Sequence, residues 1–234
     1  MTEPAPWSVW TRPRPEPRRR APGVDQYVAA ALVVADTEGL GAVSMRRIAA
    51  DRGSGTASLY RYITNRDELV DLMIDAVHGE DPLPEVSGDW RADLAAVAHA
   101  QRATLLRHPW LAGELTGRPS LGPHSLRLSE AALSAAVELT PDINRAAQAL
   151  GVVRAYVLGS VATQQAALRA EQRSGLTEEQ WQRSMGPYIT EVLAAGEHPT
   201  LARRVHEADE PDPDVDFAFG LECVLDGLAG RWGR

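Results

Sequence analysis

The sequence has no lysine, and among its 234 residues there is one cysteine and two phenylalanines. Each shortage excludes something. A lone Cys223 rules out an intrachain disulfide, and its place on an apolar helical pattern marks it as a small buried residue rather than a nucleophile. No apolar run approaches the roughly 20 residues needed to cross a bilayer. The first residues carry proline and arginine where a secretory signal needs an apolar core, so a cytoplasmic protein without membrane partners is expected. Nothing alternates with the period of two that marks a half-buried strand. Catalytic constellations are missing as well: the six histidines are scattered without metal-ligand spacing, the glycines fall at helix ends, and no nucleophile stands beside a base. No metal, cofactor or enzymatic activity is expected.

What is present is unevenly charged. The net charge of −8 divides into ten arginines against six acids over residues 1–66, and fourteen against twenty-six over residues 67–234. A basic end on an acidic body is compatible with nucleic acid, because phosphates respond to the local field. Residues 1–22, rich in proline and arginine (Arg12, Arg14, Arg18 to Arg20), cannot bury enough apolar surface to order themselves and read as a disordered arm. It is a solubilising tail or a reach along DNA phosphates, and Trp7 and Trp10 have no evident reason there.

The stretch Ser44 to Arg66 reads as two short helices across a glycine turn. Ser44 can cap a first helix with Met45, Ile48 and Ala49 on one face, and Gly53-Ser54-Gly55 supplies the turn. A second helix is expected from Thr56 to about Ile63, with Leu59 and Ile63 inward. Thr56, Ala57, Ser58, Tyr60, Arg61 and Tyr62 are left outside, the small residues, hydroxyls and arginine that a helix in a major groove needs. The same residues also fit an ordinary solvated surface. Val24 to Glu38 forms an amphipathic helix, and Asn65, with Glu68 three residues on, opens another to about His78.

The block from Val24 to Val77 resembles the N-terminal domain of the tetracycline-repressor (TetR) family, above all in Ser44 to Ala49 and in Leu59-Tyr60-Arg61-Tyr62-Ile63-Thr64-Asn65-Arg66. The resemblance implies an all-α fold: a helix-turn-helix domain over residues 23–79, and an effector-binding and dimerisation domain over residues 89–234. It implies a homodimeric regulator, most simply a repressor, released from a palindromic double-stranded DNA operator by a small organic effector, aromatic or lipophilic. Carried over, Ser44 and Arg46, with Met45 between them, and Ser58, Tyr60 and Arg66 would lie at the DNA backbone. Thr56, Ala57, Arg61 and Tyr62 would face base edges. Arg52 and Ser54 stand where the family usually places two apolar residues, so a looser turn is expected.

Beyond the boundary at residues 79–88, helices are expected over 89–107, 123–139, 142–173 and 177–193, with an acidic linker over 203–216. The small-residue face Ala155, Gly159, Ala162 and Ala166, and the stripe Leu221, Val224, Leu225 and Leu228, would by themselves fill a monomer core; the resemblance places them in a dimer interface. It likewise turns scattered aromatics and polar groups into a pocket, with His99, Arg102, Trp110, Arg118, Tyr156, Gln164 and Trp181 as candidate ligand contacts. Glu114 and Thr163 replace the histidine and glutamate that hold a magnesium–drug complex in the tetracycline repressor, so metal-dependent binding is not expected. The competing readings are a helical protein-interaction module and a small-molecule enzyme using the body cavity.

Overall fold

The computed structural model describes residues 9–12, 22–117, 119–209 and 212–232, and among these it is helical with no strand. The head comprises α1 (Val24–Glu38), α2 (Met45–Asp51), α3 (Thr56–Tyr60) and α4 (Arg66–His78). Local chemistry sets its ends. The Ser44 side chain accepts the Arg47 N–H at 3.3 Å, and Asn65 accepts the Glu68 N–H at 2.8 Å. Gly53 turns the chain at φ +61°, a left-handed conformation that a side chain resists. Tyr27, Ile48, Leu59, Ile63, Leu69 and Met73 then close a core in which all are fully buried. Each of the larger apolar side chains contributes about 1.5–3 kcal/mol by leaving water.

The turn is not loose. Ser54 Oγ donates to the Ala49 carbonyl at 3.2 Å, so the Tyr27 hydroxyl donates to Ser54 at 2.9 Å. Arg52 Nε donates to the Gln26 carbonyl at 2.9 Å. The polar pair thus ties the turn to α1 by hydrogen bonds in place of the apolar packing usual in the resembled family, where a looser turn was expected. The second helix is shorter than the spacing predicts. It stops at Tyr60, because Tyr62 and Ile63 both turn into the core.

Residues 9–12 also depart from the expected arm. Val9 is buried, Trp10 packs on the core, and Arg12 pairs with the buried carboxylate of Glu68 at the start of α4. Glu68 also accepts the Thr64 N–H at 2.8 Å, so the segment closes over a polar helix end. The remaining arginines of the arm lie outside the described residues.

The body comprises α5 (Trp90–Arg107), α6 (Leu111–Glu114), α7 (Pro123–Leu139), α8 (Ile143–Ser174), α9 (Glu178–Ala194), α10 (Pro199–Glu207) and α11 (Pro213–Trp232). The bundle is α5, α7, α8 and α11, and α4 packs on α7, so one apolar core runs from head to body. The expected linker over 203–216 is partly helix: Pro199 opens α10 at its first turn, where a missing N–H costs nothing. By length and composition α8 is apolar enough to cross a bilayer, a test that core helices also pass; here it packs against α5, α7 and α11.

The α11 stripe is a correction. Leu221, Leu225 and Leu228 are buried within the chain and Val224 is half-buried, because this face fits the groove beside α8. Its outward face carries Phe219, Cys223, Gly227 and Gly230, so Cys223 is exposed, not buried. On α8, by contrast, Ala155, Gly159, Ala162 and Ala166 are all exposed.

Candidate nucleic-acid interface and ligand cavity

The head presents one polar surface. Ser44, Arg46, Ala57, Tyr60 and Arg61 are exposed, with Thr56 and Ser58 half-exposed between them. Three expected contacts are not free to join it. Met45 is buried, as the inward position of its helix requires. Tyr62 is only 7% exposed, with its hydroxyl unpartnered inside and the Arg61 guanidinium 5.5 Å from its ring centroid. Arg66 spends its guanidinium on the Leu40 carbonyl at 2.7 Å and the Val43 carbonyl at 3.0 Å, which anchors α4 to the segment before α2.

The other end of α4 forms part of a cavity. About 180 Å³ lies between its last turns (Ile74, Val77, His78), the loop Asp81 to Pro84, and the facing sides of α5, α6, α7 and α8. The lining is mostly apolar, with Gln101, Thr104, Glu114, Ser125, Ser129 and Arg154 as its principal polar groups besides His78. Residues read as a domain boundary are therefore cavity wall.

A polar relay joins α4 to the start of α7 at this wall. Buried Asp75 accepts the N–H groups of His124 and Ser125, each at 2.9 Å, and lies 3.1 Å from Ser125 Oγ. A carboxylate at a helix N-terminus satisfies free amides and opposes the helix dipole favourably. Ser125 Oγ is also 2.8 Å from His78 Nδ1 and 3.1 Å from Ser120 Oγ. Burial holds the His78 imidazole below its ordinary value, helped by the Arg154 and His124 charges against the opposing pull of Asp75. Arg154 donates to the Leu115 carbonyl and has no carboxylate partner among the described residues.

Of the expected pocket residues that lie among the described residues, none lines this cavity. His99, Arg102, Tyr156 and Gln164 do assemble, but around Phe217 where α5 and α8 meet the start of α11. His99 stands edge-on to Phe217 at 5.2 Å, and Tyr156 stacks on it at 5.5 Å. Arg102 lies 4.7 Å over the same ring, donates to Gln164 at 3.0 Å and pairs with Asp214 at 2.7 Å. The cluster pins α11. Trp110 serves the head–body junction: its Nε1 donates to Asp36 of α1 at 2.8 Å, beside His108, whose ring nitrogens meet Asp36 and Glu80. Trp181 is exposed on α9, and Arg118 lies outside the described residues. The missed lining had a signal in Ser125, Ser129 and Ala132, which share one face of α7 at spacings of four and three.

Comparisons with known proteins bear on the same two regions. The model of the "Tetracyclin repressor-like, C-terminal domain" matches residues 82–231. The transcriptional repressor DrrR1 of Streptomyces coeruleorubidus is 38% identical over 224 residues, 95% of this chain and 82% of its own. The chain is a member of the tetracycline-repressor family. Among solved structures, the TetR family protein ActR of Streptomyces coelicolor in complex with actinorhodin superposes with a TM-score of 0.74 at 29% identity, covering 92% of this chain and all of ActR. The class A tetracycline repressor from Escherichia coli transposon 1721 is 27% identical over 87% of this chain and 89% of its own. This TetR-family chain is thus a ligand-responsive DNA-binding transcriptional regulator of the repressor type. Proteins of this kind bind operators and small-molecule effectors as dimers, and the likenesses point to a regulator rather than an enzyme. Among the described residues no group of three or more metal-ligating side chains is close enough to hold an ion.

Proposed function

We propose that the protein occupies a palindromic operator as a homodimer, with Thr56, Ala57, Ser58, Tyr60 and Arg61 in the major groove and Ser44 and Arg46 on the flanking phosphates. A mostly apolar organic effector enters the α4–α8 cavity and releases the operator. One observation carries the reading: α4 belongs to both sites. Its first residue, Arg66, anchors the reading head, while its last, His78, lines the cavity. A ligand that shifts one end of a helix moves the other, because the helix between is hydrogen-bonded and its core face packed. That a structural neighbour, ActR, forms a complex with the organic molecule actinorhodin supports an organic effector here.

The dimer would join the exposed small-residue face of α8 to the outward face of α11. Small residues let helices approach closely. The two heads would then meet successive major grooves, about 34–36 Å apart. Effector and operator would be coupled reciprocally, typically by ~1–3 kcal/mol.

The decisive experiment is selection from a random DNA pool with the purified protein, then titration of the enriched duplex at two salt concentrations. A palindrome bound with a steep salt dependence supports the reading. Enrichment of no sequence by a folded dimer would refute it.

A further inference from the structure

The relay at the cavity wall specifies which hydrogen-bonding groups remain for a ligand, granted that the cavity is the effector site. A serine hydroxyl has one proton to give. Ser125 Oγ lies 3.1 Å from Asp75, whose carboxylate only accepts, and 3.1 Å from Ser120 Oγ, to which it can also donate, so the Ser125 proton goes to one of these two oxygens. His78 Nδ1, 2.8 Å from the same oxygen, must then carry the hydrogen and donate it. In a neutral imidazole the other nitrogen is bare, and burial favours the neutral ring. Nε2 of His78 has no hydrogen-bond partner among the described residues, and the ring lines the cavity.

The surrounding charges narrow the choice further. Arg154, on the same cavity wall, is near enough for its charge to act on the His78 ring, and it lacks a carboxylate partner among the described residues. It favours a group that gains partial negative charge as it donates. Glu114, also in the lining, and Asp75, whose charge acts on the His78 ring more strongly than that of Arg154, oppose a full anion. An ionised carboxylate has no proton to give to Nε2 in any case. We propose that the effector is an organic molecule with a phenolic or enolic hydroxyl, which it donates to Nε2 of His78 beside Arg154. The bond matters beyond affinity. Donation to Nε2 polarises the imidazole and strengthens its Nδ1–H bond to Ser125, so an arriving hydroxyl tightens the end of α4 onto α7.

The test uses full-length dimer and three probes of one skeleton: 2-naphthol, 2-methoxynaphthalene and 2-naphthoate, each titrated calorimetrically at neutral pH. The naphthol is expected to bind about tenfold more tightly than its methyl ether and more tightly than the carboxylate, since a buried acceptor left unpaired is costly. In His78→Phe that preference should shrink to within about twofold while both neutral probes still bind. The comparison on the unaltered protein needs no variant, so a misfolded His78→Phe does not remove the test. Equal binding of naphthol and ether, tightest binding of the carboxylate, binding of none of the three, or a preference that survives His78→Phe would overturn the proposal. Release of the selected operator is measured in parallel. Release by naphthol and ether alike leaves the effector site standing and removes only the donor. A naphthol that binds at His78 without releasing the operator supports the donor and refutes the coupling.

Discussion

Gly122→Ala should destabilise the protein although nothing in the backbone forbids it. Gly122 caps α7 at φ −68° and ψ 160°, a conformation that alanine adopts freely. On entropic grounds the change would stabilise by about 0.4–1 kcal/mol. The added Cβ, however, would stand 2.2 Å from Oδ1, 2.3 Å from Cγ and 2.7 Å from Cβ of Asp75. Asp75 is 4% exposed and cannot swing into solvent. Moving it away surrenders its contacts to the His124 N–H, the Ser125 N–H and Ser125 Oγ. At about 1 kcal/mol net for each, less the entropic gain, the loss is about 2–3 kcal/mol. Urea denaturation reads it as a lower midpoint at unchanged slope. Asp75→Ala supplies the control, since in that background the three bonds are already gone and only the 2.7 Å Cβ contact remains. The cost of Gly122→Ala should fall there to about 1 kcal/mol or less, a coupling that a double-mutant cycle resolves. An equal cost in both backgrounds, or a neutral Gly122→Ala alone, would refute the close approach of Asp75 as the cause.

Further outcomes follow from the same geometry. Arg12→Ala leaves Glu68 buried without its cation; because Arg12 is itself partly exposed, the loss should be only about 1–2 kcal/mol by urea denaturation, with Glu68→Gln recovering part of it. Arg61→Ala should relax discrimination at one operator position by about 1–3 kcal/mol in competition binding, whereas Arg66→Ala should lower the melting temperature of the protein itself, since its partners are backbone carbonyls. A Cβ added at the exposed Gly159 meets nothing among the described residues within 4 Å, so Gly159→Leu should leave the fold intact and shift sedimentation from dimer to monomer. Because the folded-state value of His78 lies below the ordinary 6.5, its contribution to stability is complete above about pH 6.5 and is lost as pH falls through the folded value; His78→Asn should flatten that part of a melting-temperature profile.

Helix ends were legible because a few residues decide them. Ser44, Asn65 and Pro123 each place a helix start by satisfying or lacking an N–H, and the structure starts helices immediately after the first two and at the third. Faces were harder to assign. On α5 the sequence offers His99 and Arg102 as its conspicuous polar groups, yet the cavity takes Gln101 and Thr104, the adjoining face of the same helix. One residue along a helix turns a side chain by about 100°, and only the neighbouring helices decide which face looks inward. The α11 stripe alone pointed to a monomer core, and the family resemblance moved it to a dimer interface. A row of leucines states that a face will be buried, but a core and a dimer partner bury it equally well. Segment 9–12 was unreadable because its order comes from Glu68, a residue fifty-six positions away along the chain.

The polar groups at the ends of α4 bear on how small an effector's signal can be. Were the helix held by apolar packing alone, a ligand would have to create or fill a void to move it, at several kcal/mol. Instead its first turn is tied by Arg66 to two carbonyls, and its last by Asp75 and His78 to the start of α7. Such bonds are nearly balanced against water and against one another, each worth about 1 kcal/mol net. An effector that adds one hydrogen bond at His78 and strengthens the next therefore supplies about 2 kcal/mol. That lies within the ~1–3 kcal/mol by which two ligands of a regulator typically oppose each other. The hydrogen-bonded end lets a small organic molecule change the bias of a helix without repacking the core beside it.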